Sequence, residues 1–165
     1  MIRYMLTDVD LRYLDECVVL ATEALDSGNA PFGSLLVVED RVVATAKNEV
    51  ATGDPTRHPE FELARWGAQH LAPTVRAHAT VYTSGEHCPM CSAAHAWAGL
   101  GRIVFAASAQ QLAEWRQEMG VAPGPVLALP IAAIAPEIEI AGPALPLADK
   151  IRALHLRHAE RSTTG

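Results

Sequence analysis

ATVYTSGEHCPMCSAAHAWAGLGRIVFAA, residues 79–107, decides the fold. Its first six residues, with Val81, Tyr82 and Thr83, have the β-branched and aromatic character of a strand. Residues 88–98 read as a helix, because Pro89 suits a first helical turn, where the missing N–H has no bond to lose. Gly99 and Gly101 stop that helix, and residues 102–107 (RIVFAA) form the next strand. Strand, helix and strand in succession predict parallel pairing, with the helix laid on one face of a sheet.

Working outward, the same alternation continues. Upstream, a short helix carries Phe61, Ala64, Ala68 and Leu71 on one face and ends at Ala72-Pro73; the ATGDPTRHP tract before it is a loop by composition. Residues 32–39 and 41–50 are two apolar runs joined by too few residues for a crossover helix, so they predict a hairpin and a mixed sheet. Before them, Leu11, Leu14, Val18, Ala21 and Leu25 place one apolar face on a helix over 10–27, stopped at Gly28-Asn29. Downstream, Leu112, Trp115 and Met119 mark a helix ending at Gly120. A fifth strand is expected within 126–140, and Leu147, Ile151, Leu154 and His158 outline a last helix. The expected class is α/β, a largely parallel sheet with helices on both faces. It forms a single domain over 1–165, with a core at about 10–120 and a Pro-rich tail and helix after it.

Composition narrows the function. Half of the 165 residues are apolar, which excludes a disordered chain, and 11 Gly and 11 Pro without a period exclude collagen-like repeats. The net charge of −6 argues against a life on phosphate backbones and for a small-molecule substrate. Cys17, Cys88 and Cys91 are too few, and odd in number, for a secreted disulfide scaffold; Cys17 is expected buried and inert. The first residues do not read as a signal peptide, and residues 121–144, though apolar, are broken by five prolines and by Glu137 and Glu139. A cytoplasmic protein without a membrane partner is expected.

Two short motifs carry the chemistry. His58-Pro59-Glu60 lies 28 positions before Cys88-Pro89-Met90-Cys91, counted from Glu60. Zinc takes imidazole and thiolate ligands in tetrahedral geometry. Two cysteines three apart share a helical face, and a helix N-terminus favours their thiolates. His58 makes a third ligand and leaves the fourth position to water. Glu60 is two residues from His58, about 200° around an ideal helix, so the pair converges only at a helix start. There, Glu60 serves as general acid/base. The plainer alternatives are a closed structural zinc completed by His87 or His95, a thioredoxin-like redox pair, and a Glu60 that only answers the helix dipole.

The H-x-E and C-x-x-C pair resembles the cytidine and deoxycytidylate deaminase superfamily, whose zinc enzymes share this signature. PFG at 31–33, Asn48, DPT at 54–56, VYTS, CPMC and Trp97 between alanines are similar to its branch of guanine, cytosine and tRNA adenosine deaminases. The likeness covers roughly residues 10–108. It implies a three-layer α/β/α sandwich around a central five-stranded mixed sheet, and hydrolytic removal of an exocyclic amine with release of ammonia. It implies zinc on His58, Cys88 and Cys91, proton transfer by Glu60, a base hydrogen-bonded by Asn48 and packed by Phe32 and Trp97, and a homodimer or larger homo-oligomer. Guanine is the lead substrate, with cytosine or a triazine next. The alternatives are a tRNA adenosine deaminase, using the basic residues Lys150, Arg152, Arg157 and Arg161, and a non-catalytic structural subunit.

The departures are specific. Pro59 stands where alanine is usual, and His87 where proline usually precedes the first cysteine. The guanine branch's acidic residue after the fourth strand is missing, with Glu114 and Glu118 as candidates to replace it. The tail lacks an aromatic residue. His70, His78, His155 and His158 read as surface or helix-end residues, and Trp115 as core.

Overall fold

The computed structural model describes residues 5–163. Thr7 opens helix α1 (Asp8–Asp26): its hydroxyl accepts the Asp10 N–H at 3.1 Å, and the Asp10 carboxylate accepts the Thr7 N–H at 2.9 Å. Strands β1 (Gly33–Val38) and β2 (Arg41–Lys47) form the expected hairpin, turned by Glu39 and Asp40 at φ 49° and 58°. Two left-handed residues in a two-residue loop match the twist of the strands they join. A 3₁₀ turn (Val50–Thr52) leads to α2 (Pro59–His70), the short α3 (Pro73–Arg76) and β3 (Thr80–Gly85). Then follow α4 (Pro89–Ala98), β4 (Ile103–Ala107), α5 (Ala109–Glu118), α6 (Ile131–Ile134), β5 (Ile140–Ala141) and α7 (Leu145–Thr163).

The sheet order is β2-β1-β3-β4-β5. The β3–β4 and β4–β5 ladders are parallel, as the strand–helix–strand reading requires, but β1 runs antiparallel to both of its neighbours. The sheet is therefore mixed, as the hairpin predicts, with only β1 running against the other four described strands. The fifth strand is also shorter than the expected tract: only Ile140 and Ala141 pair. Pro123, Pro125, Pro130 and Pro136 remove backbone donors, so residues 121–139 cannot extend a ladder. That length builds α6 and an irregular wall instead.

Side chains alternate cleanly between the two faces. Leu35 and Val37 of β1, Tyr82 of β3, and Val104 and Ala106 of β4 pack with Leu14 and Cys17 of α1 and Ile151 of α7. Leu36 and Val81 pack with Leu63 and Ala64 of α2 on the other face, and Ile103 and Phe105 pack there with Ile131 of α6. This is the three-layer sandwich. Cys17 is fully buried in it, as expected.

Asp10 ties the layers together. Its buried carboxylate accepts from Tyr82 Oη at 2.9 Å and from both terminal nitrogens of Arg102 at 2.8 and 3.2 Å. Burial opposes ionisation, but Arg102, the Thr7 N–H and the Tyr82 hydroxyl outweigh it and hold the carboxyl below the usual aspartate range. Gly33 is set by close approach: a Cβ there would lie 2.6 Å from Ala21 N and 2.8 Å from Cys17 O, so β1 and α1 meet backbone to backbone.

Candidate active site

Two helices start with the same local grammar. His58 is the N-cap of α2, with φ −86° and ψ 140°, and Pro59 is its first residue. Cys88 is the N-cap of α4, with φ −66° and ψ 166°, and Pro89 follows it. A proline forbids the helical region to the residue before it and presets φ for the first turn. Each N-cap side chain is thus thrown off the helix end. This resolves the spacing problem of His58 and Glu60: His58 is outside the helix, so the 200° rule does not separate them.

The two starts meet. Cys88 Sγ lies 3.5 Å from Cys91 Sγ and 3.6 Å from His58 Nδ1, and Cys91 Sγ lies 3.7 Å from His58 Nδ1. Ligands about 2.3 Å (S) and 2.0–2.1 Å (N) from a tetrahedral zinc stand about 3.6–3.8 Å apart, so the donor set fits that ion. The electrostatics agree. The Cys91 sulfur and the His58 ring pull the Cys88 thiol down to about 4 against its burial. Cys88 and burial push Cys91 up.

No fourth protein ligand joins this group among the described residues. His87 is fully buried, but it packs edge-on against His95 with ring centroids 5.3 Å apart. His95 gives Nε2 to Gly101 O at 2.8 Å. Neither belongs to the ligand cluster, so the closed structural centre is not what the geometry shows. His87 is a core residue.

Glu60 sits one turn-start away, 5% exposed. Its Oε1 accepts from Thr83 Oγ1 at 2.7 Å, and Ser34 Oγ stands 2.9 Å from Thr83 Oγ1 and 3.2 Å from the same carboxylate oxygen. Ser34 and Thr83 are cross-strand partners on β1 and β3. They anchor one oxygen and leave Oε2 beside Cys91, 3.9 Å from its sulfur. Burial raises the Glu60 pKa above the ordinary glutamate value, with the Thr83 bond opposing it. A raised carboxyl is suited to taking and returning a proton near neutral pH. Sequence reasoning missed Ser34 and Thr83; the available signal was a hydroxyl in each of two apolar strands.

Above this floor opens a cavity of about 800 Å³ that also includes Phe32, Asn48, Glu86, Leu112, Arg116 and His155. Asn48 is buried at the end of β2, its N–H given to Phe32 O at 2.9 Å and its Oδ1 accepting the Val50 N–H at 3.2 Å. It is thus a turn residue as well as a cavity residue. The Asn48 Nδ2 makes no hydrogen bond among the described residues. Phe32 lies over Gly85, where a Cβ would come within 2.9 Å of its ring.

The outer wall is residues 120–129, and Glu86 ties the start of the helix before it to the start of the helix after it. One carboxylate oxygen accepts the Ala109 N–H that begins α5, and the other the Ile131 N–H that begins α6, each at 2.8 Å. Sequence reading did not single out Glu86, since a lone glutamate before a cysteine has no signature.

Two expectations are corrected, those for Trp97 and His155, and the open place of Glu114 and Glu118 is settled. Trp97 does not line the cavity: it is 90% exposed. Trp97 lies six residues after Cys91, about 120° around α4 from it, so the indole points away from the metal ligands. Glu114 and Glu118 also stay outside, the first bonded to Gln110 and the second paired with Arg152 at 2.8 Å. His155, expected at the surface, is buried in the cavity wall, its ring edge-on to Phe32 at 5.0 Å.

One imidazole, two thiolates and an adjacent carboxylate that is not a ligand form the arrangement of the zinc deaminases. Comparison bears this out: residues 7–107 match the zinc-binding region of cytidine and deoxycytidylate deaminases, and the chain belongs to that family. It is 36% identical over 119 residues to a probable cytosine deaminase of Schizosaccharomyces pombe, covering 72% of each chain. It is 35% identical over 104 residues to guanine deaminase of Bacillus subtilis, covering 62% of this chain and 67% of that one. Guanine deaminase from Nitrosomonas europaea shares the fold, with a TM-score of 0.67 at 20% identity over 95% of this chain and 87% of that one.

Proposed function

We propose that the protein is a hydrolytic deaminase of free nucleobases or closely related small heterocycles, with guanine as the lead substrate. The observation that carries this is Glu60: a buried carboxylate held by one oxygen, its other oxygen beside the ligand cluster, on the floor of a cavity. His58, Cys88 and Cys91 would hold zinc, which when bound acidifies a coordinated water toward neutral pH. Glu60 takes a proton through Oε2 and delivers it to the departing amine. The Ser34–Thr83 pair keeps Oε1 fixed while the proton moves. Asn48 orients the ring through its free amide N–H groups, and Phe32 covers one side of it.

The tRNA reading is disfavoured by charge. The cations on α7 are already matched: Lys150 with Asp15 at 3.1 Å, Arg152 with Glu118 at 2.8 Å, and Arg157 with Asp26 at 3.3 Å. A phosphate would have to displace an acid at each of these.

The test is an ammonia-release screen of the zinc-loaded protein over guanine, cytosine, isocytosine, adenine, aminated triazines and pterins, beside an anticodon stem-loop. Turnover of a base with none on the RNA is expected. Turnover of the RNA alone contradicts the proposal.

A further inference from the structure

The chain has seven histidines, and their partners separate them. His58 belongs to the ligand cluster. His70 lies stacked on Trp66 with Nδ1 2.8 Å from Trp66 O, and His95 is bonded to Gly101. His87 is buried with no hydrogen bond, but it packs behind the floor and does not line the cavity.

His155 combines burial with a place in the cavity wall, which the other buried histidines lack. It is 7% exposed, and it lines the cavity. Its Nε2 is buried and has no hydrogen-bond partner among the described residues. His70, by contrast, reaches the Trp66 carbonyl one turn back on its own helix. A buried ring nitrogen without such a bond is waiting for a partner from elsewhere.

The fold explains how a residue of the outer helix reaches the site. Ile151 and Leu154 are buried and seat α7 on α1 and the sheet. His155, next along, is turned toward Phe32, whose ring stands over Gly85 at the end of β3. The ring is neutral: burial, His158 and Arg116 hold it down to about 3. A neutral imidazole presents one N–H and one lone pair. The edge of an aminated heterocycle presents the complementary set of ring nitrogens, N–H groups and carbonyls.

We propose that His155 is a substrate-contacting, specificity-determining residue that hydrogen-bonds the edge of the ring and, with Phe32, fixes how the ring lies over the floor. This rests on the deaminase reading above and assigns a residue of the C-terminal helix to the same site. It supplies binding and orientation. The proton transfer stays with Glu60.

His155→Phe keeps a ring against Phe32 and removes both nitrogens. For the base that the wild type turns over, KM is expected to rise roughly tenfold or more while kcat stays within about threefold, with zinc content unchanged. His155→Asn, which restores a donor and an acceptor, is expected to recover part of the loss. A folded, zinc-loaded His155→Phe with wild-type KM, or with a fall in kcat alone, overturns the assignment.

If His155→Phe does not fold, ¹⁵N-histidine spectra of the Glu60→Gln protein read the same point. The His155 nitrogens are expected to shift when saturating guanine or cytosine is added. A bound base that leaves them unmoved overturns it. A wild type that releases ammonia from no base overturns the proposed function itself. A wild type that is active while His155→Phe matches it overturns only this step.

Discussion

His58 and Cys88, on the cavity floor, each stand at a helix start set by a following proline. Leu127 and Leu129, in the outer wall, stand in a segment without helix or strand and are 75% and 39% exposed. The floor is fixed by backbone hydrogen bonds and by sheet partners at Ser34 and Thr83. The wall hangs between α5 and α6, whose first N–H groups Glu86 binds. The floor therefore determines the chemistry, and the wall with α7 determines what fits over it.

The sharpest way to break this contrast is to remove a ligand from the floor. Cys88→Ala is expected to abolish stoichiometric zinc and ammonia release and to lower the melting temperature, because ligation is linked to folding. Metal analysis and calorimetry read this. Normal zinc with normal melting would show that the floor is not built around the ion. Next in size is Glu60→Gln, expected to retain zinc but lose roughly 10²–10⁴ in kcat.

Glu86→Gln probes the wall. It leaves a backbone N–H facing an amide NH₂, at a cost of about 1–3 kcal/mol. Faster limited proteolysis within residues 121–129 and a raised KM are expected, with zinc content and kcat nearly kept. Loss of zinc in that variant would mean that floor and wall are not separable.

Acid sensitivity distinguishes them more finely. Burial depresses His95 to about 4 and His155 to about 3 from an ordinary 6.5. The unfolded chain binds these protons first. Stability is therefore complete above about pH 6.5 and falls as pH drops toward the folded values, by up to about 1.4 kcal/mol per pH unit for each ring. Denaturation curves from pH 7 to 4.5 are expected to be shallower for His155→Phe than for wild type. Equal slopes would place His155 in solvent. The smallest effect is expected for Arg152→Ala, which breaks an exposed pair for at most about 1 kcal/mol.

What the sequence disclosed follows the same division. Strands β3 and β4 and helix α4 were legible because Pro89, Gly99 and Gly101 mark the boundaries, and the ligand group was legible because metal chemistry restricts residue type and spacing. Glu60 was legible beside His58. The wall was not. Its prolines forbid a ladder without prescribing what replaces it, so the expected fifth strand shrank to two residues. Glu86 acts through backbone N–H groups from positions 109 and 131, which no local pattern reveals. Trp97 was misplaced because a helical position tells which face a residue shares, not which face meets the cavity. His155 was misread because burial at an outer helix depends on how α7 lies against Phe32.

Zinc K-edge X-ray absorption on the metal-loaded protein tests the central claim most directly. The structure predicts two sulfur ligands near 2.3 Å, one imidazole nitrogen near 2.0–2.1 Å and one oxygen from water. A second imidazole in place of that oxygen would mean a closed structural centre, and Glu60 would have no water to act upon.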